Sequence, residues 1–130
     1  MEITLYGNPI TKKNSSRIAK KGNKRFVIPS DQYIRYAKDC KKQITGKHRK
    51  HIDSPVNVRA LYYMQRRYKV DLTNLLNATN DILVDCGVLA DDNSKIVAAH
   101  DGSRVLYDKN NPRVEIYIEP IEAVGGGGND

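Results

Sequence analysis

Val56, Val58, Ala60 and Tyr62 alternate with Asn57, Arg59 and Leu61, and this period of two predicts a half-buried strand running to about Met64. Glu2-Ile3-Thr4-Leu5-Tyr6 has the same alternation and stops at Gly7-Asn8-Pro9, a strand followed by a turn. From Thr11 to Arg25 the pattern disappears into Lys12, Lys13, Arg17, Lys20, Lys21, Lys24 and Arg25, interrupted by Asn14-Ser15-Ser16 and Gly22-Asn23, which reads as a loop or hairpin arm. Phe26-Val27-Ile28 is a short strand before Pro29, and Ser30 is a candidate N-cap for a helix from about Asp31 to Ile44, halted by Gly46. Lys47 to His51 reads as a solvated loop. Beyond the basic stretch Gln65 to Lys69, Leu75, Leu76, Thr79, Ile82, Leu83 and Cys86 recur at helical spacing, with Asn74, Asn77, Asp81 and Asp85 on the opposite face. A second helix over Thr73–Cys86 follows, with Gly87 as its C′ residue. Three further strands are expected at Lys95–His100, Ser103–Tyr107 and Arg113–Glu119, joined as hairpins across Asp101-Gly102 and Asp108 to Pro112. The sum is an α+β fold, one domain over residues 1–124 with a mixed β-sheet and two main α-helices, and a Gly-rich tail at 125–130 with no role in the fold.

Composition changes this picture in one respect. The chain has 130 residues and a net charge of +7, which fits one hydrophobic core and a polyanionic partner such as nucleic acid. The charge is divided: residues 1–69 hold 18 Lys or Arg against 4 Asp or Glu, and residues 70–130 hold 4 against 11. A region that grips phosphates therefore precedes one that can hold a cation. Cys40 and Cys86 form no metal-binding spacing and no disulfide framework, so a reducing cytoplasm is expected. No basic-then-apolar leader opens the sequence and no apolar run is long enough for a membrane span, so neither secretion nor a membrane partner is expected.

Two acidic points flank the second helix: Asp71 before it and Asp91-Asp92 after it. Fourteen helical residues rise about 21 Å, so these carboxylates meet only if the chain doubles back after Gly87. Converging carboxylates require a cation, and an oxygen-only donor set suits Mg²⁺, with Mn²⁺ of the same hard type, rather than zinc. Such a centre activates water and stabilises phosphoryl oxygens during phosphodiester hydrolysis. The bland alternative makes Asp71 a helix cap and Asp91-Asp92 a solvated turn. Asp81, about 15 Å along the helix from Asp71, belongs to surface solvation or capping before it belongs to the same cation. His100, alone beside a turn, reads as structural.

The run Asp71-Leu72-Thr73-Asn74-Leu75, Asp81, Gly87-Val88 and Asp91-Asp92 with Ile96 resembles the pattern of the RusA family of Holliday junction resolvases, D-L-D-N-L, then D, then G and DD. The opening strand, Gly-x-Pro turn and Lys-rich loop are also similar, which extends the resemblance loosely over residues 1–119. It implies a Mg²⁺-dependent, structure-selective endodeoxyribonuclease that acts as a homodimer on four-way DNA junctions in recombination and repair, in a bacterial cell or one infected by a phage. Asp71 and Asp92 are then the metal ligands, assisted by Asp91. Two positions depart from the pattern: Thr73 replaces its second Asp, and Asn77 stands where the family has a catalytic Lys. Thr73 is the candidate to hold a metal-bound water through its hydroxyl, and Lys95 the candidate to replace the cation. Lys12, Lys13, Asn14, Arg66, Arg67, Lys69 and Asn74 are the candidate DNA contacts, the basic ones neutralising phosphates. Tyr62, Tyr63 and Tyr68 are either stacking groups or packing residues. Two other readings use the same residues: a junction-binding protein without cleavage, and a small RNA- or protein-binding module whose acidic segment is only solvated.

Overall fold

Alternation along the longest strand sets the architecture. In the computed structural model, which describes residues 1–12, 16–29 and 31–122, β1 (Glu2–Tyr6), β2 (Ser16–Lys21), β3 (Lys24–Pro29), α1 (Asp31–Gln43), β4 (Val56–Met64), α2 (Leu72–Asp85), β5 (Val97–Ala99), β6 (Arg104–Tyr107) and β7 (Arg113–Pro120) follow in order. Lys13, Asn14, the proposed cap Ser30 and the tail 125–130 lie outside the described residues. Every second residue of β4 from Val56 to Met64 is buried, and Ile3 and Leu5 of β1 and Val114, Ile116 and Ile118 of β7 join the same face. Their register is continuous, with Ile3 opposite Ile116 and Ala60 opposite Ile116 from the other side. Tyr33, Ala37 and Cys40 of α1 and Leu75, Ala78, Ile82 and Leu83 of α2 complete one core with that face. The structure is thus a single α+β domain with two helices and a mixed sheet.

The sheet has five strands, ordered β1-β7-β4 with β5 and β6 both beside β4. β7 runs antiparallel to β1 and to β4, whereas β5 and β6 pair parallel with the start and the end of β4. Here the structure corrects the sequence expectation: β5, β6 and β7 do not form successive hairpins. The turn at Asp101-Gly102 is real, with Gly102 at φ 85°. It joins two strands laid one after the other along β4. Helix α2 carries the chain from β4 over to the β5–β6 edge, and a parallel pair requires such a crossover. The hairpin among the described residues is the arm, β2 antiparallel to β3 around Gly22-Asn23. The outer edge of β1 is met by Gln43, whose amide accepts from the Tyr6 N–H at 2.7 Å and donates to the Tyr6 carbonyl at 2.9 Å, which shields an otherwise open strand.

Helix α2 ends as the sequence leads one to expect. Gly87 takes φ 76°, its N–H reaches the Val84 carbonyl at 3.0 Å, and the Val88 N–H reaches that of Leu83 at 2.9 Å, the pair of bonds of a Schellman motif. No atom lies within 4 Å of where a Gly87 Cβ would stand, so the strain of Gly87→Ala comes from the backbone alone. It is expected to cost about 1 kcal/mol in urea unfolding, and an unchanged midpoint would refute the assignment. After the reversal, Ala90 N–H bonds to Ile52 O at 2.8 Å and Ile52 N–H to Val88 O at 3.0 Å, fixing the segment that leads to Asp91. Cys40 and Cys86 are buried and unbridged, and burial pushes the Cys40 thiol up to about 11. Among the described residues no helix is long and apolar enough to cross a membrane.

Candidate active site

Asp71 is the N-cap of α2. Its backbone is extended and its Oδ1 accepts from the Thr73 N–H at 2.8 Å and the Asn74 N–H at 3.3 Å, satisfying donors that the first helical turn leaves without partners. The side chain of Thr73 is exposed and that of Asn74 is half-buried. From Thr73, the positions Asn77, Asp81 and Asp85 follow at four-residue intervals and share one side of the helix. That side is the floor of the acidic region.

The loop after α2 divides the work of its twin acids. Asp91 turns back on its own loop: Oδ1 accepts from the Asp92 N–H at 2.7 Å and Oδ2 from the Asn93 amide at 3.0 Å. These two bonds, that from Asp92 first, hold the Asp91 carboxyl below its ordinary range. Asp92 instead lines a cavity of about 230 Å³ with Lys12, Asp81, Val84 and Asp85. Asp81 is paired with Lys12 at 2.6 Å and Asp85 with Lys41 of α1 at 3.2 Å, whereas Asp92 makes no ion pair among the described residues. Both members of the Lys12–Asp81 pair are more than a third exposed, at 47% and 39%, so the pair adds at most about 1 kcal/mol to stability. Its effect is positional: it fastens the base of the arm against α2, beside Asp92. Lys12 also lies 5.7 Å from the Tyr33 ring, whose hydroxyl is pushed up to about 12 by burial and then by Asp81.

Among the described residues it is Lys12 that lines the cavity with Asp92; the side chain of Lys95 is exposed and its backbone N–H bonds to Asn93 Oδ1 at 2.9 Å. Nothing in the sequence pairs Lys12 with Asp81, 69 positions away. Asp71 is not among the residues lining the Asp92 cavity. Among the described residues no three acidic, His or Cys side chains are gathered closely enough to hold a metal. The donor chemistry, carboxylates alone, nonetheless fits a hard divalent cation.

Arg66, Arg67, Tyr68 and Lys69 lie exposed on the approach to Asp71, and the segment is anchored where the Gln65 N–H bonds to Asn8 Oδ1 at 2.9 Å. Of the other tyrosines, Tyr62 is buried with its hydroxyl 2.7 Å from Thr79 Oγ1, and Tyr63 carries the Arg113 guanidinium 3.9 Å above its ring. Both are packing residues. His100 is structural as well. Its Nδ1 meets the Val58 carbonyl at 2.9 Å, where only a protonated nitrogen can donate, so Nε2 accepts from the Asn80 amide at 3.1 Å.

A cationic approach thus runs into exposed carboxylates on a small α+β scaffold. The profile of the RusA family, described as endodeoxyribonuclease RusA, matches residues 7–119, and the chain belongs to this family. It is accordingly an endodeoxyribonuclease, a hydrolase acting on DNA, of the Holliday junction resolvase type, and its implied substrate is branched DNA. No individual curated protein matches the chain.

Proposed function

We propose that this protein resolves four-way DNA junctions by Mg²⁺-dependent phosphodiester hydrolysis, as a homodimer with one site per subunit, during recombination and repair in the cytoplasm of a bacterial or phage-infected cell. Residues 1–124 form the catalytic unit. The observation that carries the reading is Asp92, an acidic side chain without a salt-bridge partner among the described residues, in a cavity that Lys12 also lines, while the basic segment 66–69 leads directly to Asp71. Asp92 in the cavity and Asp71 at the N-terminus of α2, outside that lining, are the residues that would bind the cation, assisted by Asp91, which also holds the loop at Asp92 in shape. Mn²⁺ is the natural substitute. When bound, the metal supplies an activated water and neutralises charge on the phosphoryl oxygens. Thr73, two residues past Asp71, would orient a water through its hydroxyl, Lys12 would supply positive charge beside Asp92, and Lys95, three residues past Asp92, is the other candidate cation. Arg66, Arg67 and Lys69, with Lys12, Lys13, Asn14 and Asn74, hold the DNA backbone.

The direct test incubates the purified protein with synthetic four-way junctions and Mg²⁺. Paired symmetrical nicks are expected, abolished by a chelator and by Asp92→Asn. Nicking that survives Asp92→Asn rejects the site. Junction affinity should fall with salt, the logarithmic slope shrinking by about 0.9 for each phosphate-contacting cation removed from Arg66, Arg67 or Lys69. A second reading, junction binding without cleavage, is favoured by Thr73 and Asn77, which stand where the family pattern has Asp and Lys. Under that reading the natural chain binds junctions without nicking them, and Thr73→Asp with Asn77→Lys creates Mg²⁺-dependent cleavage.

A further inference from the structure

The DNA reading leaves one feature unused. Between the segment that follows β4 and strand β6 lies a cleft of about 300 Å³, at the lower end of ligand-sized pockets of about 300–1,000 Å³. Its rim carries Arg66, Arg67 and Lys69, and its walls carry Tyr68, Val105 and Tyr107. Those three side chains stand 50%, 38% and 38% exposed, whereas the alternate residues of β4, Val56, Val58, Ala60, Tyr62 and Met64, are buried in the core. The guanidinium of Arg67 lies 4.3 Å above the Tyr107 ring, so a flat cationic group is already stacked on an aromatic face. Among the described residues no Asp or Glu lines the cleft. The acid closest in sequence to Tyr107, Asp108, is held by Arg113 at 2.9 Å, which keeps its carboxyl below the ordinary range.

We infer that this cleft takes an unstacked DNA base together with its phosphate at the branch point, and that it thereby sets the preference for branched over linear DNA. The inference rests on the junction-cleaving reading above and names the part of the substrate read beside Asp71. Charge and shape together select this occupant. Aromatic walls beneath three cations match a nucleotide, which has a flat apolar face and an anionic edge. An intact duplex keeps its bases stacked and offers the cleft only phosphates, so its binding draws on Arg66, Arg67 and Lys69 alone. At an exchange point the stack is already interrupted, and turning one base outward costs less there than in a continuous helix.

The test measures affinity for a four-way junction and for a linear duplex of the same sequence, in EDTA so that nothing is cut, with wild type, Tyr107→Ala and Tyr107→Phe. Thermal unfolding and light scattering are recorded for each. Loss of one base–aromatic stack is expected to weaken junction binding by about tenfold in Tyr107→Ala. Duplex binding should be unchanged, and Tyr107→Phe should behave as wild type because the ring and not the hydroxyl does the stacking. A folded Tyr107→Ala that keeps the wild-type junction-to-duplex ratio, or that loses both substrates equally, overturns the inference. So does a change in oligomeric state without a change in that ratio, which would assign the cleft to a second copy of the chain. Wild-type protein that does not prefer the junction would instead remove the underlying reading, an outcome distinguishable because it needs no variant.

Discussion

Asp71→Asn is expected to lower junction cleavage about a thousandfold, which corresponds to roughly 4 kcal/mol of transition-state stabilisation, while leaving unfolding almost unchanged. The two effects separate because Asp71 caps α2 and, in the proposed site, would also hold the cation. Its Oδ1 caps α2 through the Thr73 and Asn74 N–H groups, and the amide oxygen of Asn accepts those bonds equally well. What Asn lacks is the negative charge that would hold a divalent cation. Asp71→Ala removes the cap as well and should cost about 1 kcal/mol in urea unfolding on top of the same loss of activity. Single-turnover cleavage with Mg²⁺, alongside denaturation, checks both. Equal cutting by the wild-type and Asn proteins would make Asp71 a helix cap and nothing more.

Leu83→Ala should destabilise the fold by about 3 kcal/mol, a large part of the roughly 5–15 kcal/mol by which domains of this kind are stable. Leu83 is fully buried in α2, and its carbonyl accepts from both Val88 at 2.9 Å and Leu89 at 3.3 Å. The cavity left by the lost methyls thus opens under the reversal that carries Asp92 to its position. The expected signature is a lower urea midpoint with an unchanged slope. Val105→Ala, on the exposed wall beside Tyr107, should change stability by no more than about 0.5 kcal/mol. If the two variants unfolded alike, the placement of the core would be wrong.

Periodicity made much of the fold legible. The alternation from Val56 to Tyr62 and the helical spacing from Leu75 to Cys86 each encode a burial face in the residues themselves, and Gly87 marks the helix end because a left-handed residue is needed there. Strand partners were not legible. Asp101-Gly102 signals a turn, and the φ of 85° at Gly102 is one that favours glycine. But a turn says nothing about which distant strand the chain then joins, and β6 lies along β4 rather than returning on β5. The candidate site divides in the same way. Asp71 and Asp91-Asp92 stood out as local motifs. That Asp91 closes its own loop while Asp92 faces Lys12 depends on hydrogen bonds and on a contact between distant segments, and two adjacent identical residues carry no mark of that difference. Tyr107 went unnoticed because it reads as an ordinary strand residue until Arg67 is seen above its ring.

The position of β7 has a consequence for how the protein is made. Glu2 of β1 pairs with Tyr117, and Arg59 of β4 pairs with the same residue from the opposite side, so the last of the described strands stands between two translated before it. A nascent chain leaving the ribosome can form α1 and α2 as they emerge, but it cannot join its first strand to the rest until residues near 120 are free. Pairings so distant in sequence are slow to form. A premature stop before Arg113 should therefore yield no shortened enzyme, only a polypeptide whose first strand has lost its partner and whose β4 has one edge open, for cellular proteases to clear.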